Sequence, residues 1–316
     1  MHCNEVKPIR YAVLIVNYNS ADHAERAVRS VLRHARTQEI LVQIVDNGSE
    51  PNDRRQLRGL AGAQVQVHEL HKNLGFARGN NEAVRIVECT HAPQFIVFMN
   101  PDVEITSDGT IEELIADIVE SDVGTVGSQP LVWDPRKAEC AADQVTVRRL
   151  PSLWDLVVCE SVLLRPVFRA TFDKYTMADS KPHRGLVPFE VPSGAFFVIE
   201  HAAFREVSGF YDGTFLYGEE LFLAAELRSR GWRFVFDPGV RVVHFQGSST
   251  GFKRGWPRRS MFVHHCRSIR AFARMRLGCS EGGAAMLRIA MEVGFLCRMA
   301  DAAMSRIPGI GYGPPR

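Results

Sequence analysis

With 316 residues, 46% hydrophobic and 23% charged, the chain is long enough for one large domain or two small ones, and its composition excludes a disordered or fibrous protein. A formal net charge of +2 conceals an asymmetry: residues 252–316 hold 12 Lys+Arg against 3 Asp+Glu, so an acidic body carries a basic tail. Seven scattered cysteines without a CxxC pair argue against a disulfide framework or a zinc site and fit a reducing compartment.

Tyr11 to Val16 is a β-branched-rich run ending at polar Asn17, and Asp22 to Ala35 has apolar residues at helical spacing. Leu41 to Val45 reads as a second strand ending at Asp46, and Val65 to Glu69 as a third. Gly75 to Cys89 reads as a helix, Phe95 to Met99 as a strand ending at Asn100, Thr110 to Glu120 as a helix and Val123 to Val126 as a strand. This alternation predicts βαβ units and a mostly parallel α/β sheet, in which ligands bind beyond the carboxyl ends of the strands. Three polar clusters stand at those ends: Asn17-Tyr18-Asn19-Ser20, Asp46-Asn47-Gly48-Ser49 and Asn100-Pro101-Asp102. Further on, an apolar-rich helix is expected over Leu153 to Phe168, a strand over Phe189 to Glu200, a helix over Leu221 to Arg230, and strands over Arg233 to Phe236 and Val240 to Phe245. In the tail, Phe252 to Arg276 holds eight Lys+Arg and no acid, and Ala284 to Met304 puts Met286, Ile289, Val293, Leu296, Ala300 and Met304 on one helical face.

Several of these residues suit a chemical role. Pro101 ends its strand and sharpens the turn that presents Asp102, a hard oxygen ligand suited to Mg²⁺ or Mn²⁺ on a diphosphate; a simple Asx turn is the alternative. The Asp46 carboxylate can accept from the imide N–H of uracil or thymine, or serve a turn. Asn73 to Asn81 opens a helix, where Gly75 permits close approach and Arg78 can hold phosphate. Glu219 and Glu220 precede a helix, either as dipole-compensating acids or as a general base for an acceptor hydroxyl. His244 ends a strand, where an imidazole can complete a metal site with Asp102 or stay simply hydrogen-bonded.

In their order these motifs resemble glycosyltransferase family 2 of the GT-A fold, in its bacterial rhamnosyltransferase-like branch. The resemblance spans roughly Tyr11 to Ser249, with a weaker echo to Met275. It implies a Rossmann-like sheet flanked by helices with a C-terminal helical extension: a nucleotide-sugar half over 1–130, an acceptor and catalytic half over 131–251, and the tail over 252–316. It implies donor contacts from Asn17, Asn19, Asp46, Asn73, Gly75, Arg78, Asn81 and Asn100, and acceptor contacts from Ser193, Gly194, Ala195 and Tyr217. Asp102 and His244 are the implied ligands of Mg²⁺ or Mn²⁺, and Glu220, with Glu219 as the alternative, the implied base. Two departures stand out: Phe222 occupies the place of a second acid, and Leu223-Ala224-Ala225 lacks the arginine common after the pair.

The implied reaction is inverting transfer of a sugar, rhamnose from dTDP-rhamnose favoured over a UDP-linked donor, to a lipid-linked or polysaccharide hydroxyl in cell-surface glycan synthesis. A catalytically inactive binding or assembly subunit and a nucleotidyltransferase are the rival readings. The polar segment Met1 to Arg10 lacks the apolar core of a signal peptide, and no run of about 18 uncharged apolar residues occurs. The expectation is therefore a cytoplasmic protein whose tail meets the anionic inner face of the cell membrane, or makes a homodimer contact, with no nucleic-acid partner.

Overall fold

The first strand dictates the architecture. Tyr11 to Ile15 is apolar at every position, so both faces of the strand must be covered. The computed structural model describes residues 6–122, 124–133, 147–178, 185–245 and 259–304, and it covers both faces. Tyr11, Val13 and Ile15 point into one hydrophobic core, while Ala12 and Leu14 point into another.

The elements run β1 (Lys7–Asn17), α1 (Ala21–His34), β2 (Ile40–Asp46), α2 (Pro51–Arg58), β3 (Val65–Glu69), α3 (Phe76–Glu88), β4 (His91–Met99), β5 (Val103–Ile105), α4 (Thr110–Glu120) and β6 (Thr125–Trp133). There follow α5 (Leu153–Glu160), α6 (Leu164–Val167), α7 (Arg169–Tyr175), β7 (Val187–Phe189), β8 (Phe196–Glu200), α8 (His201–Glu206), α9 (Glu219–Ser229), β9 (Arg233–His244), α10 (Arg259–Leu277) and α11 (Glu281–Met304). Helices α1 and α4 supply Ala24, Val28, Leu114 and Ile118 to the first core; α3 and α8 supply Ala83, Val87 and Phe204 to the second. Among the described residues the strand order is β3-β2-β1-β4-β8-β6-β9-β5, with β7 paired to β9.

The expected α/β sheet is present, parallel from β3 to β4. Beyond β4 it is mixed: β8 runs antiparallel to both β4 and β6, and β9 is parallel to β6 but antiparallel to β5 and β7. The region expected as one helix from Leu153 to Phe168 is broken into α5 and α6, because Ser161 is extended and Pro166 lacks an N–H. Starting afresh at Leu164 leaves Pro166 in a first turn, where that N–H has no intrahelical partner anyway. The strand expected over Phe189 to Glu200 divides into β7 and β8 around Pro192-Ser193-Gly194, whereas the two late strands merge into β9 across Asp237-Pro238-Gly239.

A third core joins the extension to the sheet domain. It gathers Leu156 and Val157 of α5, Leu221 and Phe222 of α9, Phe262, Ile269 and Phe272 of α10, and Leu287, Met291 and Phe295 of α11. Phe222 is fully buried, stacked on Tyr211 at 4.4 Å and edge-on to Phe272 at 5.3 Å. The residue that breaks the acidic pattern therefore docks α10 onto α9. In α11 the buried face carries Leu287, Met291 and Phe295, so the apolar stripe read from the sequence, with Met286, Ile289 and Leu296, is turned outward. The side chain of Met304 lies outside the described residues.

Replacing Phe222 by Ala is expected to lower the stability of the extension by about 3–5 kcal/mol, and Phe222→Asp by at least as much through a buried unpaired charge. Denaturant unfolding with limited proteolysis of the tail measures both.

Candidate active site

Parallel pairing sets the site's base. Asn17 and Asp46 are register partners at the ends of β1 and β2, so their loops open on the same edge. Asp46 is completely buried; its Oδ2 accepts from the Ser49 N–H at 3.2 Å and faces the Arg54 guanidinium at 3.2 Å, while its Oδ1 has no partner. An acceptor atom with spare capacity in a sealed recess suits an imide N–H.

Asn17 and Asn19 are tied into this edge rather than left open. Asn17 Nδ2 donates to Asp53 Oδ2 at 2.7 Å and Ser49 Oγ at 3.2 Å. Asn19 takes a left-handed conformation, accepts from the Glu50 N–H at 2.8 Å and donates its own N–H to Ser49 Oγ. Asp53, which the sequence reading passed over, accepts from the Ser20 and Ala21 N–H groups and caps α1 from a different helix. Its signal was Pro51 at a helix start with an acid two residues on.

The segment before α3 is held in the same way. Asn73 Oδ1 accepts from Asn47 Nδ2 and the Gly75 N–H, and Asn47 Oδ1 accepts from the Leu74 N–H. Gly75 has φ +84°, and a Cβ there would collide with the Phe215 carbonyl, which accepts the Phe76 N–H at 2.8 Å. Arg78 Nε donates to the Asp212 carbonyl, and Asn81 bonds both Phe210 and Asp212. These two side chains thus brace the 210–217 loop against α3.

Asn100 joins the edge from β4, its N–H donating to the Ala195 carbonyl and its carbonyl accepting the Val103 N–H. That turn starts β5, which pairs with β9 so that Val103 lies opposite His244. The pairing brings His244 Nε2 within 3.2 Å of Asp102 Oδ1, both side chains being almost wholly buried. A carboxylate oxygen and an imidazole nitrogen at this spacing form a donor set that fits Mg²⁺ or Mn²⁺, leaving further positions for phosphate oxygens. Among the described residues no group of three or more His, Cys, Asp or Glu is arranged to hold a metal by itself. Gly247-Ser248-Ser249 lies outside those residues.

The residues expected to meet the acceptor lie in the turn before β8 and at the start of α9. Ser193 N–H donates to Gln129 Oε1 at 2.6 Å, and the Ala195 N–H donates to Ser193 Oγ. Gly194 N–H donates to Glu220 Oε1 at 3.1 Å, and a Cβ on Gly194 would collide with that carboxylate. Tyr217 and Gly218 are both left-handed, turning the chain sharply into the first turn of α9. Glu220 is half-buried at the mouth of this arrangement, while Glu219 is 2% exposed. Burial, and next the Glu220 charge, push the Glu219 carboxyl well above the usual carboxylate range. Tyr217 meets His265 of α10 edge-on at 5.7 Å, and Phe215 stacks on His264 at 4.4 Å, so the extension packs against the turn that leads into α9.

Arg148 is the other residue missed by sequence reasoning. Its guanidinium donates to the Pro192 carbonyl at 3.5 Å and its Nε is shut off from solvent; burial, which alone would lower its pKa, is outweighed by Tyr175 and Glu220, which raise it. Arg148 thus places a buried cation before α5, whereas Leu223-Ala224-Ala225 after Glu220 has no arginine.

Residues 12–151 match the model described as "Glycosyl transferase family 2". That span includes Asp46 and Asp102 and stops short of Glu220 and His244. The chain is 27% identical over 265 residues to N-acetylglucosaminyl-diphospho-decaprenol L-rhamnosyltransferase of Mycobacterium tuberculosis, covering 80% of each chain. It is 26% identical over 174 residues to Rhamnosyltransferase WbbL of Escherichia coli K12, covering 54% of this chain and 61% of that one. In fold it is similar to GalNAc-T7 solved with UDP, GalNAc and Mn²⁺, with TM-score 0.57 and 16% identity over 95% of this chain and 59% of that one. It is also similar to a mannosyltransferase of Pyrobaculum calidifontis solved with GDP-Man and Mn²⁺, with TM-score 0.53 and 15% identity, covering 95% and 78%.

Because the folded pKa of Glu219 lies above its unfolded value, the unfolded state releases its proton first as pH rises, and stability falls above about pH 4.3. Glu219→Gln is expected to melt higher than the parent at pH 7–8 and to show no such gain near pH 4, read by thermal melts across that range. Gly194→Ala is expected to displace Glu220 and lower kcat by roughly tenfold or more with donor binding retained, since misplacing a reacting group by about 1 Å is costly.

Proposed function

Since the chain is a glycosyltransferase of the family 2, rhamnosyltransferase-like kind with a GT-A fold, we propose that it transfers rhamnose from dTDP-rhamnose, with inversion, to a hydroxyl of a polyprenyl-diphosphate-linked sugar at the inner face of the cell membrane. The observation that carries this reading is the shared edge itself. The buried Asp46 acceptor, the Asp102–His244 pair and the Glu220 carboxylate all open on the carboxyl side of one sheet. The name of the M. tuberculosis relative supports the sugar and the acceptor class.

Each residue then has a task. Asp46 Oδ1 accepts the imide N–H of thymine, an edge that uracil shares. Asp102 and His244 would hold a divalent ion, which when bound would supply positive charge to stabilise the leaving diphosphate. Glu220, fixed by the Gly194 N–H, takes the acceptor hydroxyl proton. The freed oxygen forms a bond to the anomeric carbon as that carbon's bond to the diphosphate oxygen breaks, and the nucleoside diphosphate departs with the electron pair. Burial and the neighbouring Glu220 charge push the Glu219 carboxyl well above the usual carboxylate range, which favours the more open Glu220 as the base. Phe222, the departure that would suggest a non-catalytic subunit, is accounted for by its packing on Phe272.

Glu220→Gln is expected to lower transfer by on the order of 10²–10⁴-fold, and Asp102→Ala to abolish it, with the fold intact by circular dichroism. A thermal-shift panel of dTDP, UDP and GDP with Mn²⁺ should show the largest metal-dependent gain with dTDP. Stabilisation by none of them, or unchanged turnover in both variants, would overturn the reading.

A further inference from the structure

Helix α11 is apolar on two opposite sides. Its inner side packs on α5, where Gly294 lies so close to the Glu160 carbonyl that any larger residue would collide, and Gly283 lies against the Leu153 side chain. On the outer side Met286, Ile289, Val293, Leu296 and Ala300 recur at spacings of three and four, forming one stripe. Ile289 is 64% and Leu296 63% exposed, values unusual for large aliphatic side chains in a row on one helix. A helix with apolar residues on both sides is at home only where both sides are covered.

The stripe has company. Of the 14 exposed large hydrophobic side chains among the described residues, eight belong to α5 through α7, α10 and α11 and the residues joining them, although the sheet domain is much larger. Val167 is 72% and Leu163 61% exposed just past the end of α5, and Trp154 and Phe168 form a half-open aromatic pair at 5.0 Å. Clustering of this kind marks an interaction surface.

Charge selects the partner. Helix α10 has five arginines and no acid. Arg259, Arg274 and Arg276 are matched by Glu292, Glu281 and Glu226. Exposed Arg267 and Arg288 have no recorded ion pair among the described residues. A second copy seated on this face would bring two tails of net +9 together, and like charges oppose such a contact. An anionic lipid surface offers both what the arginines match and an apolar layer for the stripe. Among the described residues no helix is long and apolar enough to cross a membrane, so the contact is interfacial.

We propose that the outer face of α11, with Ile289 and Leu296 at its centre, lies in the surface of an anionic bilayer. This deepens the membrane placement in the proposed function, on which it rests, and does not depend on the transfer chemistry. The test is sedimentation of the full chain with vesicles of phosphatidylglycerol mixed with phosphatidylcholine, compared with phosphatidylcholine alone. The parent is expected to bind the anionic vesicles. The double variant Ile289→Asp/Leu296→Asp should lose roughly tenfold or more of that binding, and Arg267→Glu/Arg288→Glu should lose the preference for anionic lipid. Both variants change exposed residues, so their melts and their rate on a soluble sugar acceptor should match the parent. Absence of vesicle binding by the parent overturns the proposal, as does parent-like binding by the aspartate variant. A solution dimer that this variant splits, without vesicle binding by the parent, would instead assign the face to a second copy. Loss of transfer with vesicle binding intact would strike the enzymatic reading alone.

Discussion

The two-sided burial of β1 is the constraint from which the rest follows. A strand apolar at successive positions cannot border water, so helices must cover both faces and the connections must be crossovers. Crossovers make β1, β2 and β4 parallel, and parallel strands put their carboxyl ends on one side. Asn17, Asp46 and Asn100 share an edge for that reason alone. The loops there are then stitched to one another by side chains, with Asp53 and Asn47 accepting and donating across segments that are far apart in sequence.

A purely parallel sheet would not complete the site. Strand β8 enters antiparallel beside β4, and its first residues lie where β4 ends, so Gly194 is brought to the same edge from the opposite chain direction. The short β5 folds back onto the last residues of β9, and this pairing, rather than any helix, carries Asp102 to His244. Asp102, His244 and Gly194 therefore come to the edge that holds Asp46 because the sheet changes direction at one seam.

Much of this was legible from the residues. The βαβ alternation, the strand ends and the Asn100-Pro101-Asp102 turn follow from local pattern and from proline's missing donor. The antiparallel seam did not, because β8 and β9 have strand composition whichever way they run. The break between α5 and α6 was signalled by Pro166, which the apolar periodicity outweighed. For α11, periodicity found the stripe correctly, but periodicity has no sign: it marks an apolar face without saying whether protein covers it. Arg148 could not be read at all, since its relation to Glu220 is purely spatial, across some 70 residues of sequence.

The departure at Phe222 shows how a motif residue can change its work while the site is kept. In this chain the position belongs to a stack running from Tyr211 through Phe222 to Phe272, which fixes α10 against the turn of α9. That turn contains Tyr217 in a left-handed conformation, a strained state for a bulky residue that persists only under surrounding constraint. Ser268 of α10 donates its hydroxyl to the Leu216 carbonyl, and His264 and His265 close on Phe215 and Tyr217. The extension thus supplies the constraint that an acid at residue 222 could not, since an unpaired carboxylate between two aromatic rings would be destabilising. Glu220 is aimed by this turn, so the geometry of the candidate base depends on the helices whose outer face is turned away from the sheet. Through this one turn, whatever holds α10 and α11 in place also holds Glu220 against Gly194.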